Sequence, residues 1–284
     1  MTARRRPHSS TTKRSQGRGG QKTFKREDLT KFYGVQACLA IFEHRRADIR
    51  RVFVLDESLD RFRHVDRWCE RRGVPLKVVE FEELSTVAGT DHHEGVCFEA
   101  KPLTLSTPGQ IITRLTDLQR GCVVILEGVE NPHNVGAILR TSCFFGVTAV
   151  IIRSAQMNSL SGAACRIAEG AAEFLPIAIV PEYGNLFNVL KARGYSIVAT
   201  TPHEARSVYS VKWANKTAIL FGAEGEGLSP EVMELAETRV VIPRLGQMES
   251  LNVGTAVASV LTEARRELVI SGAIRRVQLA KDDE

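Results

Sequence analysis

Three short stretches hold the polar side chains best placed to do chemistry: "EGVENPHNVGAILRT" (127–141), "FGAEGEGLSPE" (221–231) and "IPRLGQMESLNVG" (242–254). Each mixes small, polar and charged residues where a loop would need only solubility. Asn134 and Arg140 stand six apart in the first, Glu224 lies in the second, and Ser250 and Asn252 alternate with Leu251 and Val253 in the third. Gly222, Gly225 and Gly227 invite a phosphate-cradling reading, but they miss the G-x-G-x-x-G spacing. Glu224 and Glu226 would also repel a pyrophosphate. An acidic loop suits a cationic or neutral ligand, or a ligand's hydroxyl and amine groups; a tight turn capping the next helix is the plainer alternative. The six cysteines (Cys38, Cys69, Cys97, Cys122, Cys143, Cys165) form no C-x-x-C pair and have no histidine at zinc-ligand spacing. They read as reduced, buried thiols of a cytoplasmic protein, and no metal site is expected. His133 reads as a loop residue, and His92 with His93 as an exposed loop pair.

The three stretches follow apolar runs, and those runs set the expected architecture. "CVVILEG" (122–128), "TAVII" (148–152), "LPIAIV" (175–180), "YSIVAT" (195–200), "TAILFG" (217–222) and "RVVIP" (239–243) read as strands. Helices are expected at 134–146, 162–174, 186–194, 229–237 and 253–270, with Ser229 as N-cap and Pro230 in the first turn of the fourth. In the last, Val253, Ala256, Val257, Val260, Leu261, Ala264 and Leu268 form one stripe, and Asn252 stands where a cap belongs. Continuous apolar strands alternating with helices predict an α/β fold, a mostly parallel sheet covered on both faces. In such sheets ligands bind beyond the carboxyl ends of the strands, where all three polar stretches fall.

Upstream the pattern is smaller. Residues 28–101 read as a small α/β domain, with Val35, Cys38, Leu39 and Phe42 on one helical face, strands at 49–56, 75–81 and 94–100, and a helix at 62–73 ended by Gly73. "KPLTLSTPGQ" opens an expected linker over 102–119, leaving 120–271 as the larger domain and 272–284 as a tail. Net charge is +5, yet residues 1–26 carry nine basic side chains and no acid, so the remainder sums to 5 − 9 = −4. The segment 1–27 has too little apolar surface to fold and reads as a disordered basic arm for polyanions. No apolar run is long enough to cross a bilayer, and no secretory signal opens the chain, so no membrane partner is expected.

Taken in order, "NPHNVGAILRT", "LFGAEGEGLS" and "IPRLGQMESLNVGTAVA" resemble the three motifs of the SpoU/TrmH family, RNA ribose 2′-O-methyltransferases of the SPOUT superfamily, across roughly residues 120–270. Residues 28–101, from "FYGVQACLAI" to "HHEGVCFEAKP", are similar to the small ribosomal-protein-like RNA-binding domain that many members carry. The resemblance implies a trefoil-knotted C-terminal domain, an exception to the rule against threaded connections. It further implies a homodimer, S-adenosylmethionine as methyl donor, and RNA, ribosomal or transfer, as substrate. Asn134, Arg140, Glu224, Ser250 and Asn252 match its catalytic positions, and Thr200, Gly222, Ile242 and Leu251 its cofactor-binding ones. The chain departs from the family pattern at Ala223, where Asn is frequent, at Arg244, where Met is usual, and at Gly254, where Ser is usual. No catalytic position is lost.

Methyl transfer from a sulfonium to a ribose hydroxyl is an in-line displacement that needs positioning, desolvation and a route for the hydroxyl proton. The resemblance implies that Arg140 is the base. Holding a guanidinium neutral near pH 7 costs roughly 7 kcal/mol, and a protonated one has no acceptor. A bidentate grip on the adjacent phosphate is the second role for it. Glu224 is expected to fix Arg140 or Asn134, and an ion pair of Arg140 with Glu127 or Glu130 is the plain structural alternative. A ribosome-assembly factor that keeps the fold without catalysis is the competing function; retention of the five polar positions weighs against it.

Overall fold

Strands that bury both faces must be apolar throughout, and the runs read above pair accordingly. The protein is described here by a computed structural model that covers residues 29–153, 160–203 and 205–270. The basic arm 1–27, the tail 272–284 and the side chain of Leu268 lie outside the described residues.

Seven parallel strands form the large sheet: β5 (Gly121–Glu127), β6 (Ala149–Arg153), β7 (Ile177–Val180), β8 (Ser196–Thr200), β9 (Arg206–Ser207), β10 (Lys216–Gly222) and β11 (Thr238–Val241). Their order is β7-β6-β5-β10-β8-β11-β9, so β10 lies between β5 and β8. Alternation along each strand sends Cys122, Val124, Leu126, Ile219 and Phe221 to one core. Val123, Ile125, Ala218 and Leu220 go to the other. The first face is covered by α5 (Pro132–Phe144), α6 (Gly162–Ile167) and α10 (Val253–Ile270); the second by α4 (Pro108–Thr116), α8 (Leu186–Ala192) and α9 (Pro230–Leu235).

The small sheet has the order β1-β4-β2-β3, built from β1 (Thr30–Tyr33), β2 (Ile49–Val54), β3 (Leu76–Val78) and β4 (Val96–Ala100). On one side lie α1 (Val35–Arg45) and α2 (Arg63–Arg72); on the other lies α3 (Phe81–Ala88). Gly73 ends α2 in the left-handed conformation (φ 67°), its N–H bonded to the carbonyls of Cys69 and Glu70.

Four expectations are corrected. Residues 108–116, expected within a linker, form a helix whose Thr107 and Gln110 make a reciprocal capping box, and whose Ile111 and Leu115 are buried in the second core. The helix expected over 162–174 is broken into α6 and α7 (Ala171–Phe174) by Glu169 (φ 47°) and Gly170 (φ 84°). Strand β3 is three residues long, and Phe81 begins α3 instead of ending a strand. His93 is buried, not exposed: its Nδ1 accepts from the Gly95 N–H (3.1 Å), its Nε2 meets Ser85 Oγ (3.1 Å), and burial lowers its pKa.

The two halves share one apolar core, because α1 packs on α6 and α7 while β1 packs on α6. A Cβ on Gly162 would strike the Lys31 carbonyl, which is why the close approach of α6 to β1 needs glycine there. Arg45 Nε donates to Glu173 Oε2 at 2.8 Å across this seam, with both side chains largely buried.

Candidate active site

All three polar stretches leave strands at their carboxyl ends and converge. The first starts a helix one turn past β5, where Asn131 Oδ1 accepts from the His133 N–H (2.9 Å) and Pro132 occupies the first turn. This places Asn134 at the N-terminal end of α5, half-buried. The second stretch is a tight turn after β10: Gly225 (φ 88°) and Gly227 (φ 72°) fold it back until Ala223 bridges Gly227. A Cβ on Gly222 would collide with the Gly227 carbonyl, so the turn itself demands a glycine at 222. The third ends at Asn252, whose Oδ1 accepts from the N–H groups of Gly254 (2.9 Å) and Thr255 (3.3 Å) and so caps α10.

One carboxylate oxygen gathers them. Glu224 Oε1 accepts from Asn252 Nδ2 at 2.6 Å, from Asn134 Nδ2 at 3.1 Å and from the Val253 N–H at 3.3 Å. Asn252 Nδ2 also donates to Asn134 Oδ1 at 2.8 Å. Residues 118 positions apart therefore touch, and a negative charge sits at the start of α10, where the helix dipole favours it. Glu224 binds Asn134 and Asn252; Arg140 is not among its partners.

Arg140 stands apart. Six residues on a helix correspond to about 600°, so it points roughly 120° away from Asn134. Its Nη1 donates to Glu169 Oε1 at 2.7 Å, and not to Glu127 or Glu130, the partners of the structural alternative. Glu127 instead ends β5 by accepting from Arg153 Nη1 (2.6 Å) and from the N–H (2.9 Å) and Oγ (3.0 Å) of Ser229. Ser229 thus occupies the N-cap position of α9 without a side-chain capping bond, its hydroxyl being given to Glu127. Sequence reasoning named Glu127 only as an alternative partner of Arg140, and it missed Glu169. A charged residue closing an apolar strand was the available signal for Glu127; Glu169 had only its place before a glycine.

Of the other sequence-derived positions, Ser250 is exposed on the loop before α10, and His133 is exposed at the start of α5. Thr200 ends β8 and donates its hydroxyl to the Leu220 carbonyl (2.8 Å), joining β8 to β10. Ile242 is half-buried past β11, while Leu251 is 49% exposed. Among the described residues no backbone hydrogen bond involves 243–251. The loop therefore offers free backbone donors and acceptors beside apolar Ile242 and Leu251, and the Glu224 carboxylate lies at its end against Asn252, a set that fits an adenosyl group carrying a positive sulfur. No cluster of His, Cys, Asp or Glu suited to a metal occurs among the described residues, and none of their helices is long and apolar enough to cross a membrane.

Two cavities lie elsewhere. One of about 280 Å³ lines the seam with Phe32, Leu103, Leu105 and Leu160. A cleft of about 400 Å³ on the small domain is formed by Arg46, Trp68, Arg71 and Arg72. Arg46 lies over the Phe42 ring at 5.2 Å, and Phe42 meets Trp68 edge-on at 5.5 Å.

Comparison with known proteins places this geometry. The profile of the SpoU rRNA Methylase family matches residues 121–262, and that of RNA 2′-O ribose methyltransferase substrate binding matches residues 32–106. The chain is 31% identical over 239 residues to the 23S rRNA (guanosine-2′-O-)-methyltransferase RlmB of Escherichia coli K12, spanning 83% of this chain and 97% of that protein. It is 31% identical over 242 residues to the uncharacterized tRNA/rRNA methyltransferase YfiF of Escherichia coli O157:H7, spanning 85% and 69%. The crystal structure of AviRb from Streptomyces viridochromogenes with AdoMet superposes with a TM-score of 0.70 at 20% identity, covering 85% of this chain and 91% of that one, and so shares its fold.

Proposed function

The chain belongs to the SpoU family of RNA methylases, and from that premise we propose how its residues divide the work. Its reaction is S-adenosylmethionine-dependent 2′-O-methylation of RNA. The substrate proposed is a ribose of ribosomal RNA, in line with the 23S rRNA guanosine named for the RlmB relatives. The bound cofactor supplies an electrophilic methyl group. Everything else falls to the chain.

The observation that carries this reading is the meeting of Asn134, Glu224 and Asn252 on one carboxylate oxygen. Glu224 accepts from both amides, so their remaining polar atoms are held in fixed directions instead of rotating. Loop 243–251 with Gly222, Ile242, Leu251 and Thr200 forms the cofactor side, and Ser250 faces the ribose. Arg140 grips the phosphate beside the target ribose, with base catalysis as its second role. Deprotonation opposes that second role, since a guanidinium is protonated throughout the working pH range.

Arg140 points away from the triad in its own chain, which supports a homodimer that brings the two together. Phe144, one turn beyond Arg140 on the same helix face, is 84% exposed and supplies an apolar contact for such an interface. The return of α10 from β11 to pack on α5 and on the 3₁₀ turn Val208–Ser210 is consistent with a knotted connection. Buried, reduced thiols fit a cytoplasmic setting. Residues 28–101 and 120–271 are taken as the RNA-engaging and catalytic domains. In the former, the Arg46, Trp68, Arg71 and Arg72 cleft provides guanidinium groups and an aromatic wall for an RNA strand.

The test is methyl transfer from tritiated S-adenosylmethionine to ribosomal RNA isolated from a strain lacking the gene, followed by mapping of the methylated nucleotide. One labelled 2′-O position, lost with Arg140→Ala, is expected. Tight RNA binding without transfer would replace the enzyme with an assembly factor.

A further inference from the structure

Two non-glycine residues in the described chain adopt a positive φ, and both are glutamates that hold an arginine. Glu94 (φ 54°) accepts from Arg166 Nη1 at 3.2 Å; Glu169 (φ 47°) accepts from Arg140 Nη1 at 2.7 Å. A left-handed backbone is disfavoured for any side chain with a Cβ, and a glycine at 169 would adopt it freely. The Arg140–Glu169 pair does little to offset that strain, since the side chains are 59% and 46% exposed and such pairs add little stability. Strain kept without a stability return marks a functional position.

The corner that carries Glu169 is clamped by the small domain. Gly170 (φ 84°) lies so close to α1 that a Cβ would stand 2.7 Å from the Ala40 Cβ and 3.2 Å from the Gln36 carbonyl. Three residues before Glu169, Arg166 reaches Glu94, whose other oxygen accepts from the Val35 N–H at 3.0 Å and so ties α6 to the start of α1. Four residues after it, Glu173 is buried against Arg45. The small domain thus fixes the α6–α7 corner on both sides.

We propose that Glu169 is a positioning residue for Arg140, and that docking of the small domain sets the corner from which it acts. This inference rests on the assignment of Arg140 to the reaction. Glu169 holds the guanidinium fork on one side and leaves its remaining N–H groups for a phosphate. Without the carboxylate, Arg140 samples its rotamers and meets the substrate in the wrong geometry, which lowers turnover more than binding.

The test compares Glu169→Gly, Glu169→Gln, Glu169→Asp and Arg140→Ala in the full-length protein, with the ribosomal RNA described above. Glu169→Gly relaxes the backbone while removing the carboxylate, so its Tm should equal or exceed that of the parent while kcat falls roughly ten- to hundredfold. Its KM for RNA should change by no more than about twofold, Glu169→Gln should fall alike, and Glu169→Asp should recover part of kcat. If Glu169→Gly and Glu169→Gln both retain kcat while Arg140→Ala is inactive, the positioning role is wrong and the proposed function stands. Full activity of Arg140→Ala would take Arg140 out of the reaction and the positioning role with it, while methyl transfer itself would stand. Loss of kcat only in step with loss of Tm would make Glu169 a structural residue and overturn the inference.

Discussion

Replacing Glu224 with Ala tests whether the three loops act as one site. The carboxylate accepts three N–H groups, from Asn252 at 2.6 Å, Asn134 at 3.1 Å and Val253 at 3.3 Å. Buried charge-assisted hydrogen bonds of this kind reach about 1.5–3 kcal/mol each. Glu224 is exposed, so solvent screening reduces each to about 0.5 kcal/mol or less. Loss of a negative charge from the start of α10 adds about 0.3–1 kcal/mol. The total, about 1–2 kcal/mol, corresponds to a fall in Tm of roughly 2–6 °C for a chain of this size. Activity should suffer far more. With the carboxylate gone, Asn134 is held only by its 2.8 Å contact with Asn252, whose Oδ1 still caps α10, and a shift of about 1 Å at the reacting geometry costs on the order of a hundredfold in kcat. Single-turnover transfer of tritiated methyl to ribosomal RNA, paired with a thermal melt, separates the two effects. Glu224→Gln retains an acceptor oxygen and should lose on the order of tenfold, since neutral hydrogen bonds are about half as strong. An Ala variant with kcat within a factor of two of the parent would refute the reasoning, because the shared carboxylate would then position nothing.

Further outcomes follow from the same structure. Asn252→Asp keeps the oxygen that caps α10 but removes both N–H donors and sets a second carboxylate against Glu224; helix stability by circular dichroism should change by under about 1 kcal/mol while methyl transfer is lost. Gly136→Ala would place a Cβ 2.6 Å from the Ala164 carbonyl and 2.7 Å from the Ile167 Cβ. The backbone clash should outweigh the roughly 1 kcal/mol that alanine gains in a helix, and denaturant unfolding should show a net loss of about 1–3 kcal/mol. Burial raises the Cys97 and Cys165 thiols to about 12, and Cys69 and Cys122 to about 11, from an ordinary 9.0. Groups raised in this way favour the folded state fully below pH 9 and lose that contribution as pH climbs towards 11–12. Stability measured across pH 8–11 should therefore decline, and a thiol reagent on the native protein should label the half-buried Cys143 first.

Much was settled by local chemistry. The apolar runs of the six long strands, the cap at Asn252 and the stripe of α10 follow from alternation, helical periodicity and orphan N–H groups, which neighbouring residues alone dictate. That the polar stretches follow strands already placed them at one edge of the sheet. Sequence could not choose the order β5-β10-β8, because equally apolar parallel strands carry no label for their neighbours. Nor could it choose which partner Glu224 takes: both Asn134 and Arg140 lie in the same stretch, and the roughly 120° between them on α5 decides it only once the helix is packed. The small helices α3 and α4 escaped because eight or nine residues with two buried positions each give weak periodicity. Glu169 escaped for a different reason. Its strain and its hold on Arg140 arise where α1 presses on the α6–α7 corner, across about 130 residues of chain that only tertiary packing brings together.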